Sequence, residues 1–200
     1  GMQVPEAFGG LGLRYADALR VLEQLAAIDL TLAAIVFLNG TNGIRPIQYH
    51  ATTAIRDAWL PRLAAGRQLA SFALSEPIAG SNVGGVSAHA IPDGRGGWRI
   101  RGVKRWNSSA WAGIVSVFVR MTDETGRLGG LTGFAVPMES PGVRIGPEAL
   151  TTGLRASIQN SLFFDDVAVG PDQLLGEVGK GMEVAEDALS AGRLCITAAC

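Results

Sequence analysis

At 200 residues and 20.9 kDa, the chain has the length of one ordinary domain or two small ones. Hydrophobic residues make up 48%, enough for a packed core and too many for a disordered segment. Seventeen basic residues against 18 acidic ones leave a formal net charge of -1, which excludes the broad basic face of a nucleic-acid binder. Two cysteines exclude a disulfide framework. Cys195 and Cys200 lie five residues apart on one helical segment and point to different faces, so neither a bridge nor a metal pair is expected. The longest purely apolar run, Leu32 to Leu38, is too short to span a bilayer. No signal-peptide pattern is visible, and Gly1 before Met2 reads as a cleavage scar. An intracellular, cytoplasmic protein is the expectation.

In chain order, Tyr15 to Ile28 is predicted as an amphipathic helix, with Tyr15, Leu19, Leu22, Leu25 and Ala26 on one face. Asp29 is placed to cap a second helix from Leu30. Its Leu32–Leu38 stretch is apolar all round, which predicts burial among other helices; Asn39-Gly40 and Asn42-Gly43 weaken its regularity. A third helix is predicted over Thr53 to Ala65, with Gly66 at the C-terminal cap. From Leu69 the hydrophobic period changes. Leu69–Leu74, Ser87–Ile91, Trp98–Val103, Ile114–Met121, Gly133–Val136 and Ser161–Asp165 read as strands, separated by turn clusters. No helix among them is long enough for a crossover, so an antiparallel sheet or barrel is predicted. A last amphipathic helix runs from Lys180 to Cys200. The fold class is α+β: a helical N-terminal domain (2–67), an antiparallel barrel-like β-domain (68–178) and the first helix of a truncated C-terminal bundle (179–200).

The standard short motifs are absent. There is no Walker A sequence and no G-x-G-x-x-G after a strand. His50, at a helix junction, and His89, on a strand, read as surface or hydrogen-bonded residues, and no metal site is predicted. The richest segment is Phe72 to Gly85, a strand entering a loop with three glycines and two hydroxyls. Glycines let a ligand approach the backbone, and exposed N–H groups favour phosphate. An ordinary inter-strand loop has the same composition. In Gly102 to Ser109, Trp106 is followed by Asn107, Ser108 and Ser109, a flat face beside polar groups that suits a planar heteroaromatic ligand or equally a core Trp with a polar turn.

Taken together, these segments resemble a known family. Val4-Pro5-Glu6-Ala7-Phe8-Gly9-Gly10-Leu11-Gly12 is similar to the V-P-E-x-x-G-G-x-G opening of the acyl-CoA dehydrogenases. Phe72 to Asn82 resembles their T-E-P-x-A-G-S-D loop, and Gly102 to Ser108 their G-x-K-x-W-I-T strand. Pro141-Gly142-Val143, Gly153 to Ser157, Phe163 to Val169, Leu174 to Gly181 and Gly192-Arg193 follow in the family order. The resemblance implies a helical domain, a β-domain and a C-terminal four-helix domain of which only the start is present.

It also implies FAD and an acyl-CoA or other acyl thioester. The family reaction removes a proton α to the thioester and a hydride from the β carbon, with a glutamate as base. By resemblance, Phe72, Leu74, Ser75, Gly80, Ser81, Trp106, Asn107 and Ser108 bind the cofactor, Ser108 standing for the family Thr. Ser81, Ser190 and Arg193 bind the substrate, Ser190 replacing the Asp of D-x-x-R and Asn82 replacing the loop Asp. No residue matches the catalytic base; in some members it occupies the position of Gly192. The expectation is an acyl-CoA dehydrogenase-like flavoprotein of fatty acid metabolism, inactive as this short chain alone and assembled as a homo- or hetero-oligomer. A non-catalytic partner subunit or a binding module of the same fold is the alternative.

Overall fold

The computed structural model of the chain describes residues 1–123 and 125–199. Four helices come first: α1 (Tyr15–Ile28), α2 (Leu30–Leu38), α3 (Arg45–His50) and α4 (Thr53–Ala64). Eight strands follow: β1 (Ala70–Ala73), β2 (His89–Pro92), β3 (Trp98–Ser108), β4 (Ile114–Thr122), β5 (Leu128–Pro137), β6 (Val143–Glu148), β7 (Gln159–Val169) and β8 (Leu174–Leu175). α5 (Gly181–Ala199) is the last described element, and Cys200 lies outside the described residues.

The helical part follows from its local chemistry. The bounds of α1 are those predicted. Asp29 caps α2, its Oδ1 accepting from the Leu32 N–H at 3.0 Å. The two Asn-Gly pairs fall in a π-helical turn, Asn39–Ile44, that runs straight into α3. Gly66 follows α4 with φ +66°, a left-handed conformation that glycine adopts without a Cβ clash. Burial of α2 is one-sided, contrary to expectation. Ala33, Ala34 and Phe37 are buried with Leu22 and Cys195, whereas Leu30 and Leu32 are exposed. Only one face of α2 meets α1 and α5.

The sheet runs β6-β7-β3-β2-β4-β5-β8, with β1 beside β4. It is mixed rather than wholly antiparallel: β4 pairs in parallel with both β1 and β2. β5 covers one edge of β4 along its whole length. β1 (opposite Ile114–Val117) and β2 (opposite Arg120–Met121) therefore share the other edge, end to end. The chain between them, residues 74–88, is an excursion out of an otherwise continuous strand line. That arrangement needs no crossover helix, which is why strand spacing alone misdirects the reading. β4 is buried on both faces: Ile114 and Phe118 pack toward α4 and α5, and Val115, Val117 and Val119 face the second core with Phe134 and Leu162.

Candidate functional site

The excursion between β1 and β2 is closed at its neck by one carboxylate. Glu76, 4% exposed, accepts from the Ser87 N–H at 2.9 Å, the Ser87 hydroxyl at 2.7 Å and the Ala88 N–H at 2.9 Å. Beneath it, the fully buried Lys104 Nζ donates to Glu76 Oε1 at 2.9 Å and to the Leu74 carbonyl at 3.1 Å. Burial pushes against ionisation of Glu76, but the hydrogen bonds from Lys104 and Ser87 outweigh it and hold the carboxyl below its ordinary value. Burial pushes the Lys104 amine down, against the pull of Glu76. On the far side, Arg120 donates to the carbonyls of Val86 and Gly84. The loop is thus gripped at its base while its tip, Gly80-Ser81, stays exposed.

β3 carries the second half of the site. Between Lys104 and Asn107 it advances three residues while β7 advances two, a bulge with Trp106 at φ +62°. Bulges re-aim side chains. Here Trp106 turns outward, half exposed, with the Arg105 guanidinium 4.9 Å from its ring centre. The Arg105 N–H donates to the Ser75 carbonyl at 2.8 Å, tying the bulge to the loop. The Ser71 hydroxyl donates to the Ser108 carbonyl at 2.7 Å, tying β1 to the end of β3.

α5 forms the opposite wall. It approaches the sheet through Gly181, where a Cβ would meet the Thr132 and Gly133 backbone at 2.8 Å. Further along, Gly192 packs against Asn42 in the π-helical turn. The Tyr15 hydroxyl donates to the Ala191 carbonyl and contacts the Cys195 sulfur at 3.1 Å. Asp187 accepts from Arg45 Nε and Nη2 at 2.9 and 2.8 Å and meets His50 Nε2 at 3.1 Å. Burial opposes its ionisation, yet the bonds from Arg45 and His50 hold its carboxyl below the ordinary value. Its contribution to stability is therefore present above the ordinary aspartate range and lost as pH falls through the depressed folded value. We expect Asp187→Asn to cost about 1–2 kcal/mol at neutral pH, with a smaller difference from the parent in acid; thermal melting at the two pH values measures it.

Between these walls lies a cleft of about 790 Å³. Phe72, Leu74, Ser75, Gly80, Ser81, Trp106, Ser108, Ser190 and Arg193 all line it. Asn107 does not: it is fully buried, and its amide donates to the Asn160 carbonyl at 2.9 Å across the β3–β7 ladder. The bulge explains the difference, since Trp106 turns outward and its neighbour turns inward. Arg105, Glu186 and Asn42 also line the cleft and were not singled out by sequence. Neither were Glu76, Lys104 and Gln159, which hold it from behind. Lys104 was findable, because period two from the apolar Ile100 puts it on a buried face.

The lining combines an aromatic face, charged side chains and open backbone. A half-exposed indole offers a stacking face, the guanidiniums of Arg105 and Arg193 and the carboxylate of Glu186 line the cleft, and a Cβ at Gly80 would meet no protein atom within 4 Å. The Gly80 and Ser81 N–H groups donate to no acceptor among the described residues.

Comparison with known proteins places this architecture. The family model for the acyl-CoA dehydrogenase N-terminal domain matches residues 1–67, and that for the middle domain matches residues 71–167. The chain belongs to the acyl-CoA dehydrogenase family. It is 32% identical over 195 residues to the human mitochondrial short-chain specific acyl-CoA dehydrogenase, covering 98% of this chain and 47% of that protein. It therefore spans about half the length of the short-chain relatives it matches and about a third of the very long-chain ones. Butyryl-CoA dehydrogenase from Megasphaera elsdenii superposes with a TM-score of 0.92 at 28% identity, over 100% of this chain and 53% of that one. An acyl-CoA dehydrogenase from Bacillus anthracis complexed with FAD superposes at 0.91 and 28% identity, over 100% of this chain and 33% of that one. Among the described residues, no helix is long and apolar enough to cross a membrane.

Proposed function

We propose that this chain is the flavin-holding part of an acyl-CoA dehydrogenase-type oxidoreductase that desaturates an acyl thioester between its α and β carbons. One observation carries the reading: the cleft gathers a stacking indole, hydroxyl donors and free loop N–H groups at the segments that match the family. FAD, when bound, supplies hydride acceptance. The chain's own residues do the rest. Trp106, Ser108, Leu74 and Ser75 would hold its ring, and Phe72 lines the same cleft, tilted against Phe118 with ring centres 4.9 Å apart. Gly80 and Ser81 would hold phosphate oxygens, and Ser190 and Arg193, which line the cleft from α5, would meet the thioester carrier.

The position that carries the base in some relatives is Gly192, buried against Asn42. Among the described residues, Glu186 is the one carboxylate lining the cleft, and it lies on the exposed side of α5. We therefore read the isolated chain as binding cofactor without completing α-proton removal. Gly192 equally favours the second reading, a non-catalytic subunit that works beside a complete partner. We divide the chain at 67/68 and 178/179, supported by the ends of the helical part and the start of α5, and read it as an oligomer. The compartment we propose is the cytoplasm.

The test is a visible spectrum of the purified chain after mixing with FAD and desalting. Retained flavin absorbance supports the reading; complete loss in the desalted fraction sinks it. With flavin retained, Ser81→Ala should weaken its binding by roughly 1–3 kcal/mol, the range for one hydrogen bond to a charged phosphate oxygen. An unchanged titration would remove Ser81 from the phosphate site.

A further inference from the structure

Ser108 stands at the end of β3, where the cleft meets the β3–β7 ladder. A serine hydroxyl both donates and accepts, and it rotates to suit its neighbours. Here one neighbour fixes its role. Gln159 Nε2 lies 2.7 Å from Ser108 Oγ. The same nitrogen lies 3.2 Å from the Ser157 carbonyl and 3.4 Å from the Ser157 hydroxyl. A carbonyl oxygen can only accept. The Gln159 amide must therefore present its NH2 group, not its oxygen, to this corner. With one of its protons on Ser157 and the other on Ser108, Gln159 makes the Ser108 oxygen an acceptor. The Ser108 proton is left to point elsewhere, and no other group among the described residues takes it. The Ser108 backbone is held too, by the Ser71 hydroxyl on its carbonyl.

We propose that Gln159 is a positioning residue that forces Ser108 to act as a hydrogen-bond donor into the cleft. Polarity passes from the Ser157 carbonyl through the Gln159 amide to the Ser108 hydroxyl, and it ends in a proton aimed at the ligand. The acceptor that matches is a ring nitrogen or carbonyl oxygen of the flavin, and this rests on the flavin reading above. The relay also answers a local problem. Threonine has a branched Cβ that restricts χ1, and serine does not. A serine donor therefore needs an external restraint, and Gln159 supplies one.

The test pairs two readouts on the 200-residue chain. In FAD titrations followed by fluorescence, Gln159→Met should weaken binding about 5- to 10-fold. In a Ser108→Ala background, the same change should cost less than about twofold, because the contribution of Gln159 passes through Ser108. Adding Ser108→Thr to Gln159→Met should restore much of the loss by fixing χ1 internally. Equal losses in the parent and Ser108→Ala backgrounds would overturn the relay, since a role in sheet packing alone would cost the same in both. The second readout needs no flavin. In a ¹H–¹⁵N spectrum, the side-chain NH2 pair of Gln159 should shift when Ser108 becomes Ala, and an unmoved pair would overturn the relay. If the parent chain takes up no FAD, the flavin reading falls and the NH2 shift alone decides the relay.

Discussion

Replacing Lys104 with methionine should destabilise the chain by about 3–5 kcal/mol, the range for breaking a buried ion pair by removing one partner. Lys104 is fully buried and Glu76 is 4% exposed. Methionine fills the space of the lysine stem but leaves the Glu76 carboxylate in the interior with no cation. The three donors from Ser87 and Ala88 remain, so the carboxylate keeps hydrogen bonds while losing its counter-charge. Adding Glu76→Gln should recover only part of the loss: an amide needs no counter-ion, but both carboxylate oxygens accept from backbone N–H groups, and the NH2 end of a glutamine would face one of them. The pH dependence has a definite sign. The folded Glu76 value is depressed, so its stabilisation holds above the ordinary glutamate range and disappears as pH falls through the folded value. The gap between parent and Lys104→Met should therefore narrow in acid, where a neutral carboxyl needs no cation. Urea midpoints for the three chains, at neutral pH and stepped downward, measure all of this. A Lys104→Met chain within about 1 kcal/mol of the parent would remove the pair from the stability of the excursion.

Gly181→Ala should cost about 3 kcal/mol, at the upper end for overpacking. The added carbon meets only backbone: the Thr132 Cα and carbonyl carbon and the Gly133 nitrogen, each at 2.8 Å. A flexible side chain could turn aside, but a strand inside a sheet cannot. The first turn of α5 must lift, and with it the wall that carries Ser190 and Arg193. The loss of stability should come with weaker retention of any ligand spanning the cleft. Gly40→Ala is the control. An added carbon there meets no atom within 4 Å, and the residue already sits in a helical turn. That change should stabilise by about 0.4–1 kcal/mol through the unfolded chain. Opposite signs for the two alanines in the same urea series are the expected result.

How much of this was legible in the sequence varies by element. α1 and the Asp29 cap followed from a 3.6 period and one carboxylate, both local signals. β6 was missed because its alternation is weak: it carries Gly146-Pro147 and exposes most of its residues at the sheet edge. β8 has only two residues, too few to show a period. The parallel pairs of β4 are invisible to pattern reading because pairing partners are set by tertiary packing. At the site, matching segments placed nine residues on one cleft. They failed for Asn107, because a one-residue bulge reverses which side chain faces out. The supporting residues behind the cleft escaped for a similar reason. Glu76 stood in plain view within its motif, but a carboxylate in a loop reads as solvated until Lys104 is found beneath it.

The β3–β7 ladder carries a consequence for the order in which this chain becomes competent. The β4–β5 hairpin joins near neighbours and can zip early, whereas Ser108 and Gln159 stand 51 residues apart. Closing so long a loop incurs its entropy before any contact rewards it. During synthesis, the excursion and the Trp106 bulge emerge well before the strand that must fix them. The donor aimed into the cleft therefore cannot be set before β7 has paired with β3. Until β7 arrives, a nascent chain carries every residue of the β1 and β3 walls and still lacks the means to orient them.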